Sequence, residues 1–438
     1  MADRPGSYPH FRLNLEQQGK RAKELLRAAR AGDPEALARF RSSPKLAEAQ
    51  YLIARQLRFE NWTALKRHIA EMTRERESAL SQAALASDAR SPLDGDLHTL
   101  HIRCGSDLKT SLHAAGFRGD FYEHNYPYLI GPVREGAGHL SQRARFLVDS
   151  YADARDAPLQ YEPVLRGIER DEQLLHDSAD YDRAVIWSEF DCYDQLVLVR
   201  LLGHYATHRR PARLELINIG EFPGAVRFIG LGQLPPEALR MLWRTRAPAT
   251  PAILKLGLDA WRALVNPNPC ALAAIMRSDT PALPLLARAL HRHLRELPSS
   301  VTGLSFTEEL SLQLLAEKEM NLAQVDGALT YERDPLPGQG DLQIRDRVLN
   351  MECTGVYERR PGTARNGEAR PPWTDVLTIT DLGRAVLKGA VDFMSLRAPS
   401  RWVGGVEVGA GLPDWRWDEE TSDAVCRKST SARGAVAD

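Results

Sequence analysis

Cysteine is scarce in this chain of 438 residues. Cys104, Cys192, Cys270, Cys353 and Cys426 are odd in number, widely spaced and form no Cys-x-x-Cys pair. That excludes a disulfide framework and a structural zinc site. Long hydrophobic runs are missing as well. No apolar stretch approaches the roughly eighteen residues of a membrane span, and Met-Ala-Asp-Arg-Pro-Gly-Ser at the start holds no apolar signal core. These absences point to a cytoplasmic protein of a reducing compartment, without membrane association. The three-glycine dinucleotide fingerprint is also absent, so NAD binding by that route is not expected. His291 and His293 are two apart and diverge on a helix, which makes them a poor metal pair.

Net charge is lacking too, with 57 Lys+Arg against 58 Asp+Glu, so the chain has no global polyelectrolyte character. The charge is nevertheless uneven. Residues 1–76 carry 16 Lys/Arg against 9 Asp/Glu, and residues 301–438 carry 16 against 22. The first imbalance reads as a basic solvated helix face, or as a surface for an acidic partner or nucleic acid, and the second argues against nucleic-acid binding by the C-terminal part.

What the chain does contain is organised around Tyr181 to Leu202. Ala184-Val185-Ile186-Trp187 reads as a strand covered on both faces. Glu189 and Asp191 follow, and then Leu196, Val199, Leu202 and Tyr205 recur at helical spacing. The acids therefore lie at the carboxyl end of a strand and the amino end of a helix, where open α/β sheets bind ligands. Glu189 and Asp191 point the same way in an extended segment, and Asp194 can turn back toward them. Three readings stay open. Asp191 caps the helix; Glu189, Asp191 and Asp194 hold Mg²⁺ or Mn²⁺ or act as catalytic base; or the acids form a solvated loop.

Along the chain, residues 1–75 read as a domain of short amphipathic helices with tight turns. Residues 76–96 read as a linker. Residues 97–235 alternate β and α, which implies an α/β domain with a parallel, Rossmann-like sheet. Strands are expected at Leu97–Arg103, within Phe117–Val133, and at Arg213–Ile219. Gly105 and Ser106 form a strand-to-helix turn, either an ordinary capped turn or one whose backbone N–H groups suit phosphate, although the neighbouring Asp107 would oppose an anion. His124, in an aromatic loop, is a candidate acid or base. Glu221 is a further acid at a strand end, and Gly230 and Gly232 would let backbone approach a ligand or serve as a turn. Residues 236–300 read as helical and 301–395 as a winged-helix-like module opened by the capping box Ser305 to Glu308. A C-terminal β-hairpin is expected over 396–420, with its tryptophans covering the core, and a disordered tail over 421–438.

Several of these elements carry a resemblance. His101-Ile102 with Gly105, Gly131-Pro132-Val133, Trp187-Ser-Glu-Phe-Asp191-Cys-Tyr-Asp194-Gln195-Leu196, Gly220-Glu221-Phe222 and Gly230-Leu231-Gly232-Gln233-Leu234 resemble the bacterial family catalogued as domain of unknown function 1835. The likeness covers roughly residues 98–300, together with the C-terminal segment commonly paired with that family. Where the family carries Gly-Asp-Ser and Glu-His-Asp, this chain reads Gly105-Ser106-Asp107 and Glu189-Phe190-Asp191. The histidine missing at Phe190 weakens any role that requires it. The resemblance implies an α/β fold and no particular activity. Residues 14–72 separately resemble the helical extensions of bacterial ankyrin-repeat proteins, which implies packing or a protein partner.

The combined expectation is an enzyme acting on a phosphorylated or nucleotide-like small molecule. Glu189, Asp191, Asp194 and His124 would be the chemical groups, and His101, Gly105, Ser106, Asp107, Gln195, Glu221, Gly230 and Gly232 the ligand contacts. The alternative is a non-catalytic regulatory or interaction protein; DNA binding through the C-terminal module is a weaker third.

Overall fold

Short apolar runs and buried charge partners decide the central sheet. The computed structural model describes residues 11–83, 93–151, 158–225, 228–336, 339–362 and 372–427. The fold is mixed α/β, with helix outweighing strand. Contacts divide the chain into two compact units, Met1–His124 with Ser178–Glu189 and Pro211–Pro248, and Asn125–Asp177 with Phe190–Arg210 and Ala249–Asp438. No helix among the described residues is long and apolar enough to cross a membrane.

The first unit holds a five-stranded sheet. Its strands are β1 (Thr99–Arg103), β2 (Asp120–Glu123), β3 (Arg183–Glu189), β4 (Arg213–Ile219) and β5 (Ala247–Pro248), in the order β2-β1-β3-β4-β5. The first four in that order pair in parallel and β5 is antiparallel. Every residue of β1 and β3 is buried, as expected for strands covered on both faces. Arg103 lies opposite Trp187, and Trp187 opposite Ile217, so the carboxyl ends of β1, β3 and β4 share one edge. Arg183 is tolerated inside because it pairs with Asp96, donates to the Thr99 hydroxyl at 3.1 Å and lies over the Trp243 ring at 5.2 Å.

The N-terminal helices Leu15–Arg30, Pro34–Ala38 and Leu46–Gln56 form where caps and turns place them. Asn14 and Asp33 accept from Gln17 and Ala36. The fourth, Trp62–Ala83, runs on into the expected linker over 76–96. Residues 73–83 contain no glycine or proline to stop it. The expected linker therefore begins as helix, and its middle, 84–92, lies outside the described residues. The described N-terminal helices fall in the same compact unit as the sheet. Glu75 accepts from Arg240 Nε at 2.7 Å and Arg12 Nε donates to Glu237 at 2.6 Å. These pairs span 165 and 225 residues of sequence and are invisible to local pattern.

In the second unit, helix Cys192–Thr207 is buried almost all round, including Leu196, Val197, Leu198, Val199, Leu201 and Leu202. It exceeds the single apolar face read from its spacing, as a core helix does. Over 301–395, helix Phe306–Glu317 opens on the expected Ser305–Glu308 capping box. A three-stranded antiparallel sheet has Val376–Ile379 between Met320–Asn321 and Tyr357–Arg360, and helix Asp381–Leu387 follows it. The C-terminal region differs from expectation. Two hairpins replace one, Arg401–Val403 with Val406–Val408 and Asp414–Asp418 with Asp423–Arg427. Part of the expected disordered tail is thus a strand, because Trp415, Arg416 and Trp417 find partners in Cys426, Val425 and Ala424. Residues 428–438 lie outside the described residues.

Candidate functional site

At the carboxyl edge of the sheet, two carboxylates meet one guanidinium. Arg103 closes β1 and Glu189 closes β3. Arg103 Nη2 lies 3.1 Å from Glu189 Oε2, and the same side chain donates through Nε and Nη2 to Asp107 at 3.1 Å each. The Leu231 N–H donates to Glu189 as well. Glycine is demanded on either side of that N–H. A Cβ at Gly230 would meet Glu189 Oε1 at 2.5 Å, and one at Gly232 would meet Asp107 Oδ2 at 2.7 Å. Gly230 and Gly232 therefore admit the protein's own carboxylates against the turn's backbone.

The chain then runs through Phe190 to Asp191, which is extended at φ −73° and ψ 167° and accepts from the Asp194 N–H at 2.8 Å. This is the capping arrangement read from the sequence. The same six residues also bring carboxylate oxygens of Glu189, Asp191 and Asp194 within 4.8 Å of one another, all three side chains being buried. Capping and convergence coexist. Gln195 follows, fully buried on the first turn of the helix.

The other candidates lie elsewhere. His101 is a core residue. Its Nδ1 accepts from Trp187 Nε1 at 3.1 Å, which leaves Nε2 to donate to Asp94 Oδ2 at 3.0 Å. Asp94 also accepts from the N–H groups of Arg118 and Gly119, so it ties the strand entrance together. His124 is buried and shares a 2.7 Å hydrogen bond between Nδ1 and the Tyr122 hydroxyl. Glu221 is exposed and faces Arg58 at 3.5 Å. Gly105 and Ser106 precede a helix of seven residues, Lys109–Ala115, whose cap residue Leu108 offers no side-chain bond. Asp107 is held by Arg103.

Sequence reasoning missed Arg103 and Asp94, which read as an ordinary strand end and a linker residue. It also missed a cavity of about 340 Å³ wholly within the second unit, lined among others by Tyr126, Tyr128, Leu140, Arg143, Arg200 and Trp261. The Tyr126 hydroxyl donates to Asp171 at 2.9 Å, Trp261 Nε1 to Glu135 at 2.5 Å and Arg200 to Glu172 at 2.6 Å. Burial pushes the Asp171 carboxyl above its usual range, against the Tyr126 hydrogen bond, and pushes the Tyr128 hydroxyl up. The local signal is the aromatic segment Tyr126-Pro127-Tyr128; the remaining walls come from the loop over 132–136 and from separate helices. Deeper in the same unit, Arg292 pairs with Glu296 at 2.6 Å and Asp334 at 2.8 Å. Burial raises Glu296, but Arg292, Arg347 and the Thr307 hydroxyl outweigh it and hold the carboxyl down at about 2. Compared with models of known protein families and with curated proteins, the chain finds no match.

Proposed function

We propose that this chain binds a phosphorylated or nucleotide-like small molecule at the carboxyl edge of its sheet, and acts on it with Mg²⁺ or Mn²⁺ held by Glu189, Asp191 and Asp194. The supporting observation is the convergence of three buried carboxylates on six residues of chain. Like charges held so close and desolvated repel one another, and a hard divalent cation offsets them. Such an ion supplies charge stabilisation at a phosphoryl oxygen. The same reading assigns the chain to the domain of unknown function 1835 family, with a Rossmann-like parallel sheet. It makes residues 301–395 a winged-helix-like module used in packing, and the N-terminal helices a surface for a protein partner in the cytoplasm.

A second reading has its own support. Glu189 is engaged by Arg103 and Leu231, and Asp191 caps its helix. In a regulatory or interaction protein these acids would only hold the turn. Asp191→Asn and Asp191→Ala, melted with and without Mg²⁺, Mn²⁺ and a nucleotide panel, separate the two. Asparagine caps as well as aspartate, whereas alanine costs about 1 kcal/mol. The site reading expects a metal-induced rise in Tm that Asp191→Asn removes while leaving the metal-free protein as stable or more so. A wild type that ignores both cations, or an Asp191→Asn variant that responds like wild type, leaves the structural reading standing.

A further inference from the structure

The cavity of the second unit has a buried cation in its wall. Arg143 is 7% exposed, and its guanidinium donates to two carbonyl oxygens, Ile130 at 2.5 Å and Pro127 at 2.7 Å. Nε is buried and has no hydrogen-bond partner. No carboxylate pairs with Arg143 among the described residues. Burial opposes its charge. A desolvated guanidinium without a counter-ion is costly. The other cavity charges do not supply one. Glu172 is paired with Arg200, and Glu135, which accepts from the neutral Trp261 indole, makes no ion pair with Arg143 among the described residues; with the exposed Arg134, three guanidinium groups face two carboxylates around the cavity.

The walls set the rest of the ligand. Tyr128 and Trp261 meet edge to face at 5.2 Å, and Ile168, Leu140 and Pro132 add apolar surface. About 340 Å³ is within the range of small-molecule sites. We propose that this cavity binds a small organic anion with a flat apolar body, its carboxylate or phosphate neutralising Arg143 and its ring lying among Tyr126, Tyr128 and Trp261. Guanidinium is suited to either anion by its planar fork of donors.

The test uses the full chain and four probes of nearly equal shape: benzoate, phenyl phosphate, neutral benzamide and cationic benzamidinium. Thermal melting is followed at millimolar concentrations and constant ionic strength. At least one of the two anions raises Tm by about 2 °C or more, growing with the logarithm of its concentration, and the neutral and cationic probes leave it unchanged. Leu140→Trp fills the cavity without touching the charge, and it abolishes the anion response. Arg143→Met abolishes it too; should that variant fail to fold, the probe series and Leu140→Trp still decide. The inference is overturned if neither anion shifts Tm, if benzamidinium shifts it as much, or if Leu140→Trp keeps the response. Retention of a shift by phenyl phosphate alone identifies phosphate over carboxylate as the anionic group.

Discussion

Glu75 offers the sharpest test of how the N-terminal helices are tied to the sheet. It sits on helix Trp62–Ala83, 5% exposed, and accepts from Arg240, itself 6% exposed. Removing one member of a buried pair typically costs about 3–5 kcal/mol, because the survivor stays charged and desolvated. Arg240 keeps a 2.8 Å bond to the Ala115 carbonyl, which puts Glu75→Ala near the lower end, at about 3 kcal/mol. Arg244 also touches Glu75, but its side chain is 64% exposed, and an exposed partner adds little. Glu75→Leu combined with Arg240→Met removes both charges and should recover most of the loss. Urea denaturation of the two single variants and the double variant closes the cycle, with a coupling of roughly 2 kcal/mol or more expected. A chain beginning near Asp94 would expose Arg240 and the surfaces that Met72 and Ala79 now bury, so it should aggregate or melt far lower. A Glu75→Ala loss below about 1 kcal/mol, with unchanged melting of the shortened chain, would refute this coupling.

The turn and the buried histidines lead to two further expected outcomes. Gly230→Ala should cost about 2–4 kcal/mol in urea denaturation, since its Cβ would strike the buried, doubly held Glu189. Gly232→Ala should cost less than half as much, because Asp107 is partly exposed and can shift; equal losses would count against the account of the turn. Acid should also weaken the fold. Burial holds His68 and His293 down at about 4, so between that value and the ordinary 6.5 the unfolded chain binds protons that the folded chain refuses. Stability is then complete above pH 6.5 and falls on acidification toward 4, and His68→Gln should flatten the slope measured by urea midpoints from pH 7 to 4.5. An unchanged slope would mean that His68 titrates normally in the fold. Glu296 acts lower: held down at about 2, it contributes stability above its ordinary 4.5 that is lost only as the pH falls toward 2.

What was legible in the sequence is what depends on neighbours a few residues away. Ala184 to Trp187 announces a buried strand because a parallel strand covered on both faces has no reason to alternate. Asp191 announces a cap because its oxygen needs only the N–H three residues on. Ser305 and Glu308 satisfy each other within one turn. The right-handed connections of alternating β and α then put the carboxyl ends of β1, β3 and β4 on one edge. What stayed hidden depends on distant partners. Asp94 read as linker because the groups it holds, His101 and the N–H groups of Arg118 and Gly119, matter only once β1 and β2 are paired.

Gly230 and Gly232 show how a local signal can be seen and its cause missed. By sequence both positions let backbone approach a ligand or serve as a turn. The atoms that approach are Glu189 Oε1 and Asp107 Oδ2, carboxylates 41 and 125 residues away in sequence. Arg103 then gathers both acids, so the five positions form one connected set. A glycine, an arginine or an acid at a strand end therefore marks a tightly built place before it marks a binding place. Arg143 differs in kind: its guanidinium donates to carbonyl oxygens and forms no ion pair with a carboxylate among the described residues. In the Arg103 cluster a guanidinium is held by two of the protein's own carboxylates; at Arg143 it is held by carbonyl oxygens beside a cavity, which is the arrangement that an incoming anion would complete.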